Sequence, residues 1–145
     1  MNSHNLTRKR IEQENLDLID TKRYKNKNVI FIFNKEFHEG IIGIIAAKLS
    51  QKFSKPCFVV TESQNLLKCS IRSQNNIKIN KTINKLIENK LIISGGGHDE
   101  AGGFSAKKEY LSEIEEFINK NLRKLIKKIF LILILLQFFP KKIVQ

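Results

Sequence analysis

The chain has 145 residues, 41% of them hydrophobic, and a formal charge of +12. That length suits one domain with an apolar core, and the supply of Ile, Leu and Phe excludes a fully disordered chain. No acid follows Glu116, whereas Lys120, Arg123, Lys124, Lys127, Lys128, Lys141 and Lys142 do, so the last stretch carries +7 and the preceding 116 residues only +5.

Such a surface suits nucleic acid or anionic lipid. Residues 1–24 are polar and charged, so no secretory leader is expected and a cytoplasmic setting is. Cys57 and Cys69 lack metal-ligand spacing and sit in apolar runs, which predicts reduced core thiols.

In chain order, residues 5–19 read as a short amphipathic helix, with Leu6, Ile11, Leu18 and Ile19 among its few apolar positions. A basic linker follows. "VIFIF", residues 29–33, is a continuous apolar run and predicts a buried strand. Residues 40–53 predict a helix whose apolar face holds Ile41, Ile45 and Leu49. Gly40 and Gly43 weaken that helix by about 1 kcal/mol each relative to Ala, which points to close approach of a backbone or a ligand.

"CFVVT", residues 57–61, predicts a second buried strand. Residues 66–72 alternate: Leu67, Cys69 and Ile71 share one face, and Lys68, Ser70 and Arg72 the other. Asn80 is placed to cap a helix carrying Ile83, Leu86 and Ile87. Short strands are expected at 91–94 and 104–106, and an amphipathic helix at 110–122.

Residues 129–139, "IFLILILLQFF", form an apolar tail that as a helix spans roughly 16 Å, half a bilayer core. A surface-lying or partner-packed helix is expected rather than a membrane span. The whole reads as an α/β domain: a mixed sheet of about four to five short strands flanked by helices, with an N-terminal linker helix and a C-terminal apolar helical tail. The expected division is 1–27 linker helix and basic linker, 28–122 main domain, and 123–145 tail.

Five of the seven glycines crowd into "ISGGGHDEAGGF", residues 93–104. Glycine reaches positive φ and leaves backbone N–H groups unshielded, so Gly95, Gly96 and Gly97 can form a nest for an anion. A helix beginning near His98 would add its dipole, and the His98 ring can donate to a phosphate oxygen. Gly102 and Gly103 leave room for something bulky. No Lys-Ser or Lys-Thr follows, so a P-loop is excluded. Arg72, at a strand end with Ser70 and Ser73 beside it, can grip a phosphate through two donors. His38 precedes the glycine-opened helix and is expected near the same cleft.

An H-x-G-x-x-G-I-x-A-x-x-L segment from His38, the S-x-R-S end of the strand at Ser70, and G-G-G-H-x-x-A-G-G from Gly95 follow one another in this order. Together they resemble the DHH-associated domain of the DHH phosphoesterase superfamily, nearest the RecJ-like single-strand-specific DNA exonucleases. The resemblance covers about residues 5–122. It implies that Gly95, Gly96, Gly97, His98 and Arg72 line a strand-binding wall for single-stranded DNA or a short oligonucleotide, with Ser70 and Ser73 as weaker candidates. His38, Gly40, Gly43, Gly102 and Gly103 would belong to the same cleft.

The resemblance also implies roles in DNA repair and recombination. Its enzymes cut phosphodiesters with Mn or Mg held by D-x-D and D-H-H motifs of a separate catalytic domain. Asp17, Asp20 and Asp99, with His4, His38 and His98, form neither motif. No catalytic residue, cofactor or metal site is therefore expected in this chain, which alone should be inactive. A truncated or split form served by a separate DHH polypeptide is the leading expectation. The alternatives are the substrate domain of a small-oligonucleotide phosphodiesterase, or a membrane-surface or protein-interaction module using the tail.

Overall fold

The computed structural model describes residues 2–17, 19–24, 26–75 and 77–138, with the backbone alone given for 2–4 and 21. Helix α1 covers Asn2–Asp17. Strand β1 covers Ile30–Phe33, and its Ile30 N–H donates to the Pro56 carbonyl at 2.9 Å. A 3-10 turn at Glu39–Ile41 leads into α2, Ile42–Phe53. Ser54 ends α2 in the left-handed region, φ 54°, with its N–H bonded to the Ser50 carbonyl. Pro56 cannot extend a helix, and β2 begins at once, Cys57–Ser63.

Strand β3, Leu66–Arg72, has the expected bounds. Gln64 and Asn65 make the turn between β2 and β3 with φ 54° and 64°, the two left-handed residues that a tight hairpin needs. Helix α3 covers Asn80–Glu88. Strands β4, Ser94–Gly97, and β5, Ala101–Lys107, form a second hairpin, and α4 runs over Leu111–Phe138.

The sheet order is β1-β2-β3-β5-β4, with β1 and β2 parallel and every other pair antiparallel. Helix α2 packs on β2 and β3, with α1 against it, while α3 meets β4 and α4. Each side has its own core. Beneath α3 and α4 lie Phe58, Val60, Leu67, Cys69, Ile71 and Phe104. Beneath α2 lie Ile30, Ile32, Cys57 and Val59. Strand β2 is thus buried on both faces, which is why its sequence is apolar without alternation.

Four expectations about the elements are corrected. The glycines expected after a strand at 91–94 are themselves the strand, because β5 pairs with them. No helix starts near His98, since Asp99 and Glu100 form the hairpin turn instead. Asn80 is the first residue of α3 rather than its cap. Ile79 takes the cap position, and its N–H is satisfied by the Asp99 carbonyl at 2.9 Å. Helix α4 also continues past Leu122 to Phe138, so the 110–122 helix and the described part of the tail are one element. Nothing between them breaks a helix: the stretch has no Gly or Pro. Leu18, Phe139, Lys141 and Lys142 lie outside the described residues, as does the side chain of His4.

Candidate functional site

On the α2 side, the helix packs over β2 and β3, with Gly43 close above Ser70 and Arg72. Beyond it the sheet lies open. Paired residues in an antiparallel sheet share a face, so the register assembles this floor row by row. Arg72 stands beside Ala101, Ser70 beside Gly103 and Gly96, and Lys68 beside Ser105 and Ser94. The floor is small and polar, with a cation at each end. Lys68 and Arg72 are four residues apart, about 13 Å along a strand. Lys68 Nζ donates to Ser105 Oγ at 3.0 Å. A cleft of about 550 Å³ lies over this floor, lined by Gly40, Gly43, Lys68, Ser70, Gly103 and Ser105 among others.

Arg72 is held rather than free. Its Nη1 donates to the Ile71 carbonyl at 2.8 Å and to Ser70 Oγ at 3.3 Å. For Nε and Nη2 the described residues supply no hydrogen-bond partner, so these donors remain for a ligand. Gly43 lets α2 pass closely over them: a Cβ there would stand 3.2 Å from Arg72 Nη2 and 3.1 Å from Ser70 Oγ. On the other side of Arg72 a cleft of about 430 Å³ is shared with Gln51, Gln74, His98 and Glu100. A third, of about 510 Å³, joins Arg72 to Arg8 of α1 and Lys48 of α2.

The β3–β5 ladder brings the two motifs together, and one further bond extends it to the hairpin tip. The Ser73 N–H donates to the Glu100 carbonyl at 2.8 Å, pinning the tip of the β4–β5 hairpin to the end of β3. His98 thereby meets Arg72 across one cleft. Ser73 itself serves the fold: it is buried, and its hydroxyl donates to the Ile77 carbonyl at 2.5 Å. The Glu100 carboxylate tempers the positive charge of the cleft, as Glu39 does over the floor.

No glycine has a positive φ, so the nest expected of Gly95, Gly96 and Gly97 is not formed. The glycines act by being small, in two groups. A Cβ on Gly95 would meet Phe104 Cβ at 2.8 Å and Ile83 Cγ2 at 3.1 Å, and one on Gly102 would meet Ile83 Cδ1 at 2.8 Å. Both allow α3 to sit close on the sheet. Gly96 and Gly103 belong to the open floor. A Cβ on Gly103 would lie 2.8 Å from the Cys69 carbonyl oxygen, whereas one on Gly96 would meet nothing within 4 Å.

The ladder still offers main-chain donors. The His98 N–H donates to the Ala101 carbonyl at 2.7 Å. By alternation Gly96 exchanges bonds with Gly103, and the N–H groups of Gly95 and Gly97 point out along the free edge of the sheet.

His38 is exposed and lines none of these clefts. Its carbonyl accepts the Ile41 N–H, which opens the turn into α2. Lys68, Arg8 and Lys48 were not singled out from the sequence as site residues. The β3 alternation does place Lys68 with Arg72. Nothing local marks Arg8 or Lys48, which tertiary packing brings in, Lys48 through an ion pair with Glu12 of α1. The thiols stand apart from this chemistry. Burial pushes Cys57 up to about 12 and Cys69 well above its ordinary 9.0, so both stay protonated.

The DHHA1 domain family matches residues 26–128. The chain belongs to that family. RecJ from Thermus thermophilus, solved in complex with Mn2+, superimposes with a TM-score of 0.73 and 22% identity, over 83% of this chain and 18% of that one. An exonuclease RecJ bound to manganese gives 0.69 and 23%, over 81% and 29%. The C-Ala domain of Aquifex aeolicus alanyl-tRNA synthetase gives 0.56 and 14%, over 66% and 90%.

These identities show a shared DHHA1 fold, and the chain spans less than a third of either RecJ structure. No curated protein sequence matches it significantly. The RecJ structures hold Mn2+ or Mg2+. Among the described residues of this chain, no group of three His, Cys, Asp or Glu is placed to hold such an ion. The donors of the described residues do not fit such an ion.

Proposed function

We propose that the open face of β3, β5 and β4 binds the phosphate backbone of single-stranded DNA, as the substrate-holding domain of a cytoplasmic RecJ-like exonuclease system. The observation that carries this reading is the convergence of Arg72 and His98 on one cleft, at the end of a floor free of bulky side chains. Arg72, oriented by Ser70 and the Ile71 carbonyl, grips one phosphate through Nε and Nη2. Lys68 neutralises another across the floor, and His98 and the edge N–H groups of β4 donate to further oxygens. The small residues between the two cations let sugar and base lie flat on the sheet.

Bond cleavage belongs to a separate DHH catalytic unit with its Mn or Mg. The role of this chain is to hold and orient the strand. The test is fluorescence anisotropy with a labelled single-stranded oligonucleotide over a salt series. Affinity should fall linearly on log axes, and Arg72→Ala should reduce the slope by about 0.7 and weaken low-salt binding roughly tenfold or more. Gly96→Leu, whose side chain would rise into open space, should block the floor while leaving the fold intact. Parent-like binding by both variants would remove the site. A pGpG-specific phosphodiesterase from Vibrio shares the fold at a TM-score of 0.52, so a dinucleotide competitor belongs in the assay. Equal affinity for dinucleotide and longer strand would move the substrate to the short class.

A further inference from the structure

The side of the sheet opposite the floor carries a second cationic feature. A groove of about 410 Å³ runs between α3 and α4, edged by Lys78, Lys81 and Lys85 from one wall and Lys124 and Lys128 from the other. All five lysines are exposed, no acid lines the groove, and none of the five is ion-paired among the described residues. Like charges gathered in this way repel one another, and a bound polyanion relieves the repulsion.

The bottom of the groove is apolar, at Leu125 and Ile129. From there α4 continues as an apolar stub. Phe130, Leu131, Ile132 and Leu133 are consecutive and exposed, as are Leu135, Leu136 and Phe138, at 38% to 71%. Four consecutive positions at 3.6 residues per turn wrap the whole circumference. A partner helix or sheet covers one stripe, whereas this stub is apolar on all sides, as befits a helix surrounded by hydrocarbon. It is too short to cross: no helix among the described residues is long and apolar enough to span a membrane.

We infer that the α3–α4 lysine groove and the apolar end of α4 together dock on an anionic phospholipid surface, lysines on the headgroups and the stub in one leaflet. A bilayer accepts both features at once. A nucleic acid strand would satisfy the lysines and leave the apolar stub in water. A second copy would cover the stub only by bringing another set of lysines against the first. The surface lies across the sheet from the DNA-binding floor, so it does not rest on the function proposed above.

The test is co-flotation of the full chain with phosphatidylglycerol-containing vesicles and with pure phosphatidylcholine vesicles. Binding is expected to the first and not the second. The triple change Lys81→Glu, Lys85→Glu, Lys124→Glu should weaken it at least about tenfold, as should Leu133→Asp with Leu136→Asp, while Arg72→Ala binds vesicles like the parent. Equal binding to neutral vesicles, or none to anionic ones, overturns the inference. So does loss of oligonucleotide binding in the triple-lysine variant with vesicle binding intact, which gives the groove to nucleic acid. A concentration-dependent oligomer dissolved by Leu133→Asp, without vesicle binding, gives the stub to a second copy and also overturns it. Circular dichroism of each variant shows that it is folded.

Discussion

Strand β3 shows both sides of the molecule within seven residues. Leu67, Cys69 and Ile71 point under α3 and α4 and are 5% exposed or less. Lys68, Ser70 and Arg72 point the other way, half-buried, onto a floor that α2 covers only in part and that lines an open cleft. The first side is filled with hydrocarbon and carries stability. The second is built from small residues and two cations and lines an open cleft of about 550 Å³. A sheet face without a covering helix survives in water only if its side chains are small or polar, and these are the groups a phosphate chain can approach.

The sharpest way to break this contrast is to cut into each side in turn. Phe58→Ala removes a fully buried ring beneath α3 and α4 and should cost about 3–5 kcal/mol of stability in urea denaturation. A smaller loss would mean a looser core than the packing implies. Next come the glycines. Gly103→Ala places a methyl 2.8 Å from the Cys69 carbonyl oxygen, a backbone atom that cannot easily yield, and should cost about 1–3 kcal/mol. Gly96→Ala, one strand over, should be neutral or slightly stabilising, because its methyl meets open space. Equal effects at the two positions would contradict the open floor.

The thiols sharpen the comparison by pH, one from each core. Burial raises Cys57 from an ordinary 9.0 to about 12, and Cys69 in the same direction. A group raised on folding contributes its full share below its unfolded value. As pH rises past 9 the unfolded chain sheds these protons first, and stability should fall by about 1 kcal/mol per pH unit for each thiol. Cys57→Ala and Cys69→Ala should each flatten that fall in denaturation curves taken from pH 8 to pH 11, a range of about three units. Arg72→Ala should shift stability by no more than about 0.5 kcal/mol, because among the described residues its half-buried side chain bonds only to Ser70 Oγ and the neighbouring Ile71 carbonyl. A large loss there would make Arg72 a structural residue instead.

Much of this architecture could be read from residue order. The alternation of β3 announced its bounds and its two faces, since side chains on a strand point alternately whatever the surroundings. The apolar runs of β1 and β2 announced burial on both sides. The motif spacing announced the DHHA1 family, and Arg72 and His98 as residues to watch. The glycine run could not be read in this way. A residue without a side chain gives no periodicity, so only pairing with β5 made it a strand, and only contact with Ile83 gave Gly95 and Gly102 their reason. The meeting of Arg72 with His98 rests on the β3–β5 ladder, on the His98–Ala101 bond and on the bond from Ser73 to Glu100, all between backbone groups every residue possesses, which composition cannot announce. Local chemistry chose the elements and their faces. Long-range backbone bonds, blind to side-chain identity, decided which motifs would share a cleft.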